Sequence, residues 1–400
     1  MRGLTVGVAG GGIGGLSAAL SLLAAGFDVH VYERAQALGE VGAGVQISPN
    51  ASRILHRLGL AGELARTGVK PLALHQRRWD DGRTLLRTPL GEPLEARFGF
   101  PHYQAHRADV LAALAAAIPA GRIHLGRRLT GFTDHGDGVR LDFAEGGPAE
   151  VDVLVGADGI HSDVRELLFG PERPRFTGCV AYRGLIPAER LRGLGIEVTA
   201  QVFMGPGRHF VNYYVSGGRL MNFVAIVEQD SWTRESWTDH GEVADALKAF
   251  DGWHPQVHGM LNAVDETFVW ALFDRPPLPR WSRGRVTLLG DACHAMLPFM
   301  AQGAAQAIED GATLAASLAA NPGDPAEALV GYERLRLPRA TRMQALSSEN
   351  KTRFHLHDGP EQEARDEAMA MGATDWSYDV VAWIYDHDAA GPLPDGETTG

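Results

Sequence analysis

Gly10, Gly12 and Gly15, in the run Gly10-Gly11-Gly12-Ile13-Gly14-Gly15, have the GxGxxG spacing of a turn that can receive a pyrophosphate. The first glycine permits a tight turn, the second lets the backbone approach phosphate, and the third lets a helix pack closely. A helix opening there offers free N–H groups and the positive end of its dipole to an anion. Glu33 follows 33 − 10 = 23 residues after the first glycine, where a carboxylate can accept both hydroxyls of an adenosine ribose and disfavours a 2′-phosphate. The chemistry expected is dinucleotide binding. This motif alone does not separate FAD from NAD.

Two later segments have related chemistry. Asp158-Gly159, in Gly156-Ala157-Asp158-Gly159-Ile160-His161-Ser162, stands where a turn can meet a bound dinucleotide; the same residues also read as a plain turn capped by Ser162. Gly290-Asp291-Ala292-Cys293-His294, followed by Pro298, Gln302 and Gly303, puts a carboxylate at a strand end and a fresh helix start soon after. Asp291 can hold a ribityl or ribose hydroxyl, whereas His294 reads as packing inside the motif. His355 and His357, before Asp358, lack any Cys or HExxH companion and read as a solvated helix end. No metal is expected.

The elements that must position these residues follow from hydrophobic period. Residues 4–9 read as a buried parallel strand, 13–26 as a helix ending at Gly26, and 28–33 as the next strand, one βαβ unit. Residues 151–159 and 285–292 read as further buried strands, and about 303–320 as a helix. Between them lie CVAYRGLIP, VTAQVFMG, RHFVNYYV and RLMNFVAIV, the last two joined through Ser216-Gly217-Gly218 as a hairpin. The expected fold is α/β, a Rossmann-like domain with an inserted, mostly antiparallel β-sheet domain and a C-terminal helical segment. The expected division gives residues 1–70, 101–170 and 280–340 to the nucleotide-binding domain, 71–100 and 171–279 to the inserted sheet, and 341–400 to the helical segment and tail. Trp376, Tyr378, Trp383 and Tyr385 form an aromatic cluster that should pack on the body or on another subunit.

Composition narrows the partners. The 400 residues carry a net charge of −12, without the basic footprint of a nucleic-acid binder. Cys179 and Cys293 are the only cysteines, so a disulfide framework is excluded and a reduced cytoplasm fits. No apolar run reaches membrane-span length, and the N-terminus enters a glycine turn where a signal peptide would show a longer apolar region, so a mature start at or near Met1 is expected. Lys70, Lys248 and Lys351 lie outside the motifs, which disfavours Schiff-base chemistry. A monomer or homodimer is expected.

Taken together, the three motifs resemble those of the group A flavoprotein monooxygenases, the para-hydroxybenzoate hydroxylase-like superfamily, over Leu4 to about Arg339. The resemblance implies a GR2-type FAD-binding domain with the pyrophosphate near Gly10, Gly12, Ile13, Gly14 and Gly15. It puts the ribityl near Asp291 and the isoalloxazine edge near Gly303 and Ala304. Arg107, in HRADVL, matches the family arginine beside the ribityl and pyrophosphate; Glu33, Arg34, Leu129, Asp158, Gly159 and Gln302 complete the implied cofactor set. With no second GxGxxG unit, a nicotinamide donor, NADH in preference to NADPH, must visit transiently, and O2 is the co-substrate.

Closer similarity is to the salicylate hydroxylase, 3-hydroxybenzoate 6-hydroxylase and 6-hydroxynicotinate 3-monooxygenase branch. It is carried by Gly42 to Asn50, Pro298 to Ala304, Ala307 to Asp310 and Trp383 to Asp386. That likeness implies insertion of one oxygen atom into a small phenolic or hydroxypyridine carboxylic acid through a flavin C4a-hydroperoxide. It also implies catalytic roles for His209 and Tyr213 and substrate contacts from Gln46, Pro298 and Phe299. Strand period independently sends His209, Val211 and Tyr213 to one face, with the outer two about 13 Å apart. Phe299 stands where some members carry His or Tyr, so a more apolar pocket is expected. The rival readings are a flavin reductase or oxidase without oxygen insertion and a non-enzymatic nucleotide-binding scaffold.

Overall fold

The computed structural model describes residues 3–39, 43–232, 240–372 and 376–391; Gly42 and the Pro/Gly-rich tail from residue 392 lie outside them. Thr5–Ala9, with Val6 and Val8 fully buried, forms the middle of a six-stranded sheet. It pairs in parallel with Asp28–Glu33 on one side and Val153–Gly156 on the other. Val286–Leu288 adds in parallel beyond Val153–Gly156, Ser282–Arg283 closes that edge antiparallel, and Ile123–Leu125 closes the other. Strands buried on both faces read as apolar runs without alternation, as these do. The consequence is positional. The chain turns carrying Gly10, Asp158 and Asp291 all leave the C-terminal ends of neighbouring strands, the place where open α/β sheets bind ligands.

Helix Ile13–Ala24 follows the first strand and packs against helix Gly303–Ala320. At their crossing a Cβ on Gly311 would lie 2.7 Å from the Ala18 Cα, so only glycine admits this approach.

The second sheet has eight strands in the order His240–Gly241, Thr267–Asp274, Arg175–Pro187, Leu220–Glu228, Arg208–Val215, Ala200–Gly205, Ala73–Arg78, Thr84–Pro89. All its pairs are antiparallel except Ala200–Gly205 with Ala73–Arg78. Alternation gives it two unlike faces. Phe203, Phe210 and Phe223 point outward onto Phe250, Trp253, Val257 and Met260, with the Phe210 and Phe223 rings stacked 5.4 Å apart. The opposite face presents Val202, His209, Val211, Tyr213, Val224 and Ile226 to an interior cavity.

A three-stranded antiparallel sheet, Leu129–Asp134, Val139–Phe143 and Ala149–Val151, has no counterpart in the sequence reading. Helix Pro325–Phe354 runs unbroken through residue 341, where the C-terminal segment was expected to begin. Tyr378 and Tyr385 pack edge-on against Phe98, at 5.6 and 5.4 Å, so the aromatic cluster lies on the body of the chain. Among the described residues, no helix is long and apolar enough to cross a membrane.

Candidate active site

One cavity of about 640 Å³ runs from the glycine turn to the eight-stranded sheet. Of the residues expected at the site, all except Gly15 line it. Gly15 acts from beneath. A Cβ there would lie 2.0 Å from the Gly10 carbonyl oxygen, so its absence seats helix Ile13–Ala24 against the turn. Gly10 has φ +115° and lies against the Ala157 carbonyl, which ties the first turn to the second. Gly12 is the N-cap of the helix without any side-chain cap, and a Cβ on it would meet nothing within 4 Å.

Glu33 accepts from Gly11 N at 2.6 Å and from Ala35 N at 2.8 Å, fixing its carboxylate at the edge of the turn. Asp158 is committed differently: its carboxylate accepts from Ser162 Oγ at 2.5 Å and Val164 N at 3.1 Å, while Ser162 Oγ accepts from Arg165 N at 2.9 Å. The Ser162 cap is therefore present, and Asp158 reinforces it. Burial raises the Asp158 pKa against those bonds. Gln302 is also held, donating to Ser48 Oγ at 2.9 Å and accepting from Asn50 Nδ2 at 3.2 Å. Gly303 then opens the long helix toward the cavity without a side-chain cap.

These features fit FAD. An uncapped helix start with open space over Gly12 suits a pyrophosphate, and the wall beside Asp291 carries the guanidinium of Arg107. Burial depresses the Arg107 pKa, and the nearby Asp291 opposes that.

Behind the third turn lies a buried ionic cluster. Asp310 accepts from His294 Nε2 at 2.6 Å, Arg336 Nε at 2.7 Å and Gly290 N at 3.0 Å. Glu309 accepts from Arg336 at 2.5 Å, Arg339 at 2.7 Å and Asn50 at 2.6 Å. Burial alone would raise the Glu309 pKa, but Arg336 and Arg339 outweigh it and hold the group at about 2. His294 is a structural member of this cluster, in keeping with its sequence reading; burial lowers its pKa, but the Asp310 carboxylate brings the net shift upward. Arg336→Met would strand Asp310 beside one imidazolium. It should cost about 3–5 kcal/mol in urea-induced unfolding, and an unchanged midpoint would show that the cluster contributes no net stability.

At the sheet end, His209 is 1% exposed, with Phe299 edge-on at 4.9 Å and Phe354 at 5.2 Å. Burial, then His355, sets its pKa well below the ordinary 6.5, so the ring is neutral. Tyr213 is buried against Gly44, whose Cβ would fall 2.6 Å from the phenol oxygen; Gly44 N donates to Asn222 Oδ1 at 2.7 Å. Burial drives its phenol pKa up, against the pull of Arg183. Gln46 Oε1 lies 3.1 Å from His102 Nε2, and burial holds His102 neutral with a pKa of about 4. Pro298 and Phe299 form an apolar lip.

The structure corrects the reading of His355. His357 is exposed, but His355 is 4% exposed and lies 2.6 Å from His209, because as the C-cap of helix Pro325–Phe354 it is carried under the sheet. Three further polar residues that carry no motif in the sequence line the cavity. Gln76 is fully buried with both amide atoms unpaired, Arg183 lies 4.1 Å above the Trp270 ring with its Nε unpaired, and His102 keeps a bare Nδ1. Burial pulls the Arg183 pKa down to about 10. Arg183 had one legible signal: in CVAYRGLIP it falls on the inward set with Cys179 and Ala181, an uncommon place for a charge.

A nucleotide turn, a carboxylate at the second strand, and a continuous chamber walled by the eight-stranded sheet make a site with room for a flavin and a substrate beside it. The chain belongs to the FAD binding domain family, which matches residues 3–347, and it is an FAD-dependent aromatic monooxygenase. It is 45% identical over 386 residues, 96% of both chains, to 3-amino-4-hydroxybenzoate 2-monooxygenase PtmB3 of Streptomyces platensis. It is 40% identical over 361 residues, 89% of this chain and 93% of the relative, to 6-hydroxynicotinate 3-monooxygenase of Bordetella bronchiseptica. Among solved structures, HpxO of Klebsiella pneumoniae complexed with FAD and uric acid is 29% identical with a TM-score of 0.86, covering 98% of this chain and 99% of that one.

Proposed function

We propose that this enzyme hydroxylates a small aromatic carboxylic acid bearing a ring hydroxyl, with or without a neighbouring amino group, at the expense of NADH. The observation that carries the reading is the continuity of the cavity from the glycine turn to a neutral, buried His209. The relatives acting on 3-amino-4-hydroxybenzoate and 6-hydroxynicotinate support the substrate class. On this reading residues 1–70, 101–170 and 280–340 hold the cofactor, 71–100 and 171–279 the substrate, and the helical segment from 341 closes the chamber.

Bound FAD would supply the electrons, taken from NADH, that activate O2, and one atom of that O2 is delivered to the ring. Gly10, Gly12, Ile13, Gly14, Gly15, Glu33, Arg34, Arg107, Leu129, Asp158, Gly159, Asp291, Gln302, Gly303 and Ala304 position it. His209 takes the ring-hydroxyl proton, which raises electron density at the carbons ortho and para to the oxygen. Tyr213, too far along the strand to share that proton, orients the other end of the ring. Arg183 supplies a buried positive charge over the Trp270 ring, suited to an anionic ligand, and Gln76 and Gln46 offer amide contacts. Pro298 and Phe299 keep water from the reacting centre, which prevents wasteful release of hydrogen peroxide.

The test is a panel of hydroxybenzoates, aminohydroxybenzoates and hydroxypyridine carboxylates, each scored for stimulated oxidation of NADH and of NADPH, with products weighed by mass spectrometry. A gain of one oxygen atom with one of these acids is expected. Stimulated NADH oxidation that leaves every acid unchanged would favour the reductase reading.

A further inference from the structure

His209 does not end at the cavity wall. Its Nδ1 lies 2.6 Å from Nε2 of His355, and the other nitrogen of His355, Nδ1, lies 2.9 Å from Oε1 of Glu228. The two rings are 1% and 4% exposed, whereas the Glu228 side chain is 41% exposed. Three separate elements build this line: strand Arg208–Val215, the C-cap of helix Pro325–Phe354, and the end of strand Leu220–Glu228. Backbone pins the middle member, since Gly207 N donates to the His355 carbonyl at 3.0 Å.

The hydrogen bonds set the tautomers. An ionised carboxylate only accepts, so His355 Nδ1 carries a proton and its Nε2 accepts. His209 Nδ1 must then be the donor, which leaves the lone pair on His209 Nε2, the ring nitrogen outside the chain. A base is thereby aimed by its neighbours.

We propose that His209, His355 and Glu228 form a proton relay that carries the substrate's ring-hydroxyl proton from the closed chamber to solvent and returns a proton to the product. In the outward step the O–H bond of the substrate breaks and an N–H bond forms at His209 Nε2. His209 Nδ1–H passes its proton to His355 Nε2, His355 Nδ1–H passes its own to Glu228, and Glu228 releases it to water. The return step runs through the same bonds in reverse, protonates the product phenolate and restores both tautomers. No redox change occurs along the line.

The surroundings suit neutral carriers. Phe299 and Phe354 wall the inner ring. Around the outer members stand Lys351, Arg208, His357 and the Cys179 thiol. Burial, then the charges of Lys351 and Arg208, lowers the His355 pKa against the opposing pull of Glu228. Lys351 is itself tied to the Thr177 carbonyl at 2.7 Å.

The inference rests on the reading of His209 as the base, so the experiment separates the two. In the FAD-loaded enzyme, Glu228→Gln keeps an acceptor for His355 but cannot take a proton, and His355→Gln breaks the line at its middle. With the substrate found by the panel, each variant should lose about 10- to 100-fold in kcat at pH 7. Small buffer bases such as imidazole should restore the Glu228→Gln enzyme in proportion to their concentration, because the broken end faces solvent. A structural defect would not respond to buffer. Wild-type kcat and buffer-independence in both variants, alongside a crippled His209→Asn enzyme, would overturn the relay and leave the base intact. A harmless His209→Asn would overturn both. Without any substrate, nitrogen-15 spectra of the imidazoles should show both rings neutral and protonated at Nδ1 at pH 7; a charged or Nε2-protonated His209 would overturn the relay.

Discussion

Gly12→Ala is expected to leave the FAD-free protein as stable as the wild type while raising its Kd for FAD about 100-fold or more, roughly 3 kcal/mol. The reason is the empty space over this residue. A Cβ on Gly12 meets no protein atom within 4 Å, and its φ of −76° suits any residue, so alanine costs the fold nothing. What the methyl group displaces is the ligand, because the pyrophosphate must approach this backbone closely. Gly15→Ala provides the contrast. Its Cβ would press to 2.0 Å from the Gly10 carbonyl, so melting temperature and FAD affinity should fall together. Fluorescence titration of the stripped proteins with FAD, paired with thermal melts, distinguishes the cases. Undiminished FAD binding by Gly12→Ala would remove the pyrophosphate from this turn.

The second large effect is expected at His209. His209→Asn should keep its FAD yet lose about 100- to 10,000-fold in hydroxylation, with NADH oxidation diverted to hydrogen peroxide. The pH profile adds a sign. Because burial and His355 depress the His209 pKa, the wild-type ring stays neutral and competent as pH falls through 6.5, and the acid limb lies below that of an exposed histidine. Without the imidazole, reaction depends on substrate already ionised in solution, so the variant's activity should climb with pH toward the ordinary phenol pKa of about 10. Coupled hydroxylation unchanged over pH 6–9 in the variant would end the role of His209.

Much of the cofactor end is legible in sequence because it is made of turns between neighbouring strands. Gly10, Asp158 and Asp291 lie far apart in the chain, yet each follows an apolar run that can only be a buried parallel strand, and such strands stack side by side. The same logic finds the face of His209, Val211 and Tyr213, since period two needs no knowledge of the partner strands. It fails for His355. Nothing local distinguishes a helix end in water from one driven beneath a sheet; the contact with His209 spans 146 residues and exists only after both bodies pack. Gln76 and His102 are missed for a related reason, because a polar side chain in a strand or turn declares its burial only through the elements that cover it. Asp158 shows the converse. Its motif is conspicuous, yet its carboxylate caps the helix that follows.

On the proposed function, this chain brings FAD, O2 and a small aromatic acid together in one chamber for oxygen insertion. The most direct measurement is turnover under oxygen-18 gas in ordinary water with the acid selected by the panel. One oxygen-18 atom in the new ring hydroxyl is the predicted result. A hydroxylated product carrying only oxygen from water, or NADH oxidation yielding hydrogen peroxide and no hydroxylated acid, would contradict the account.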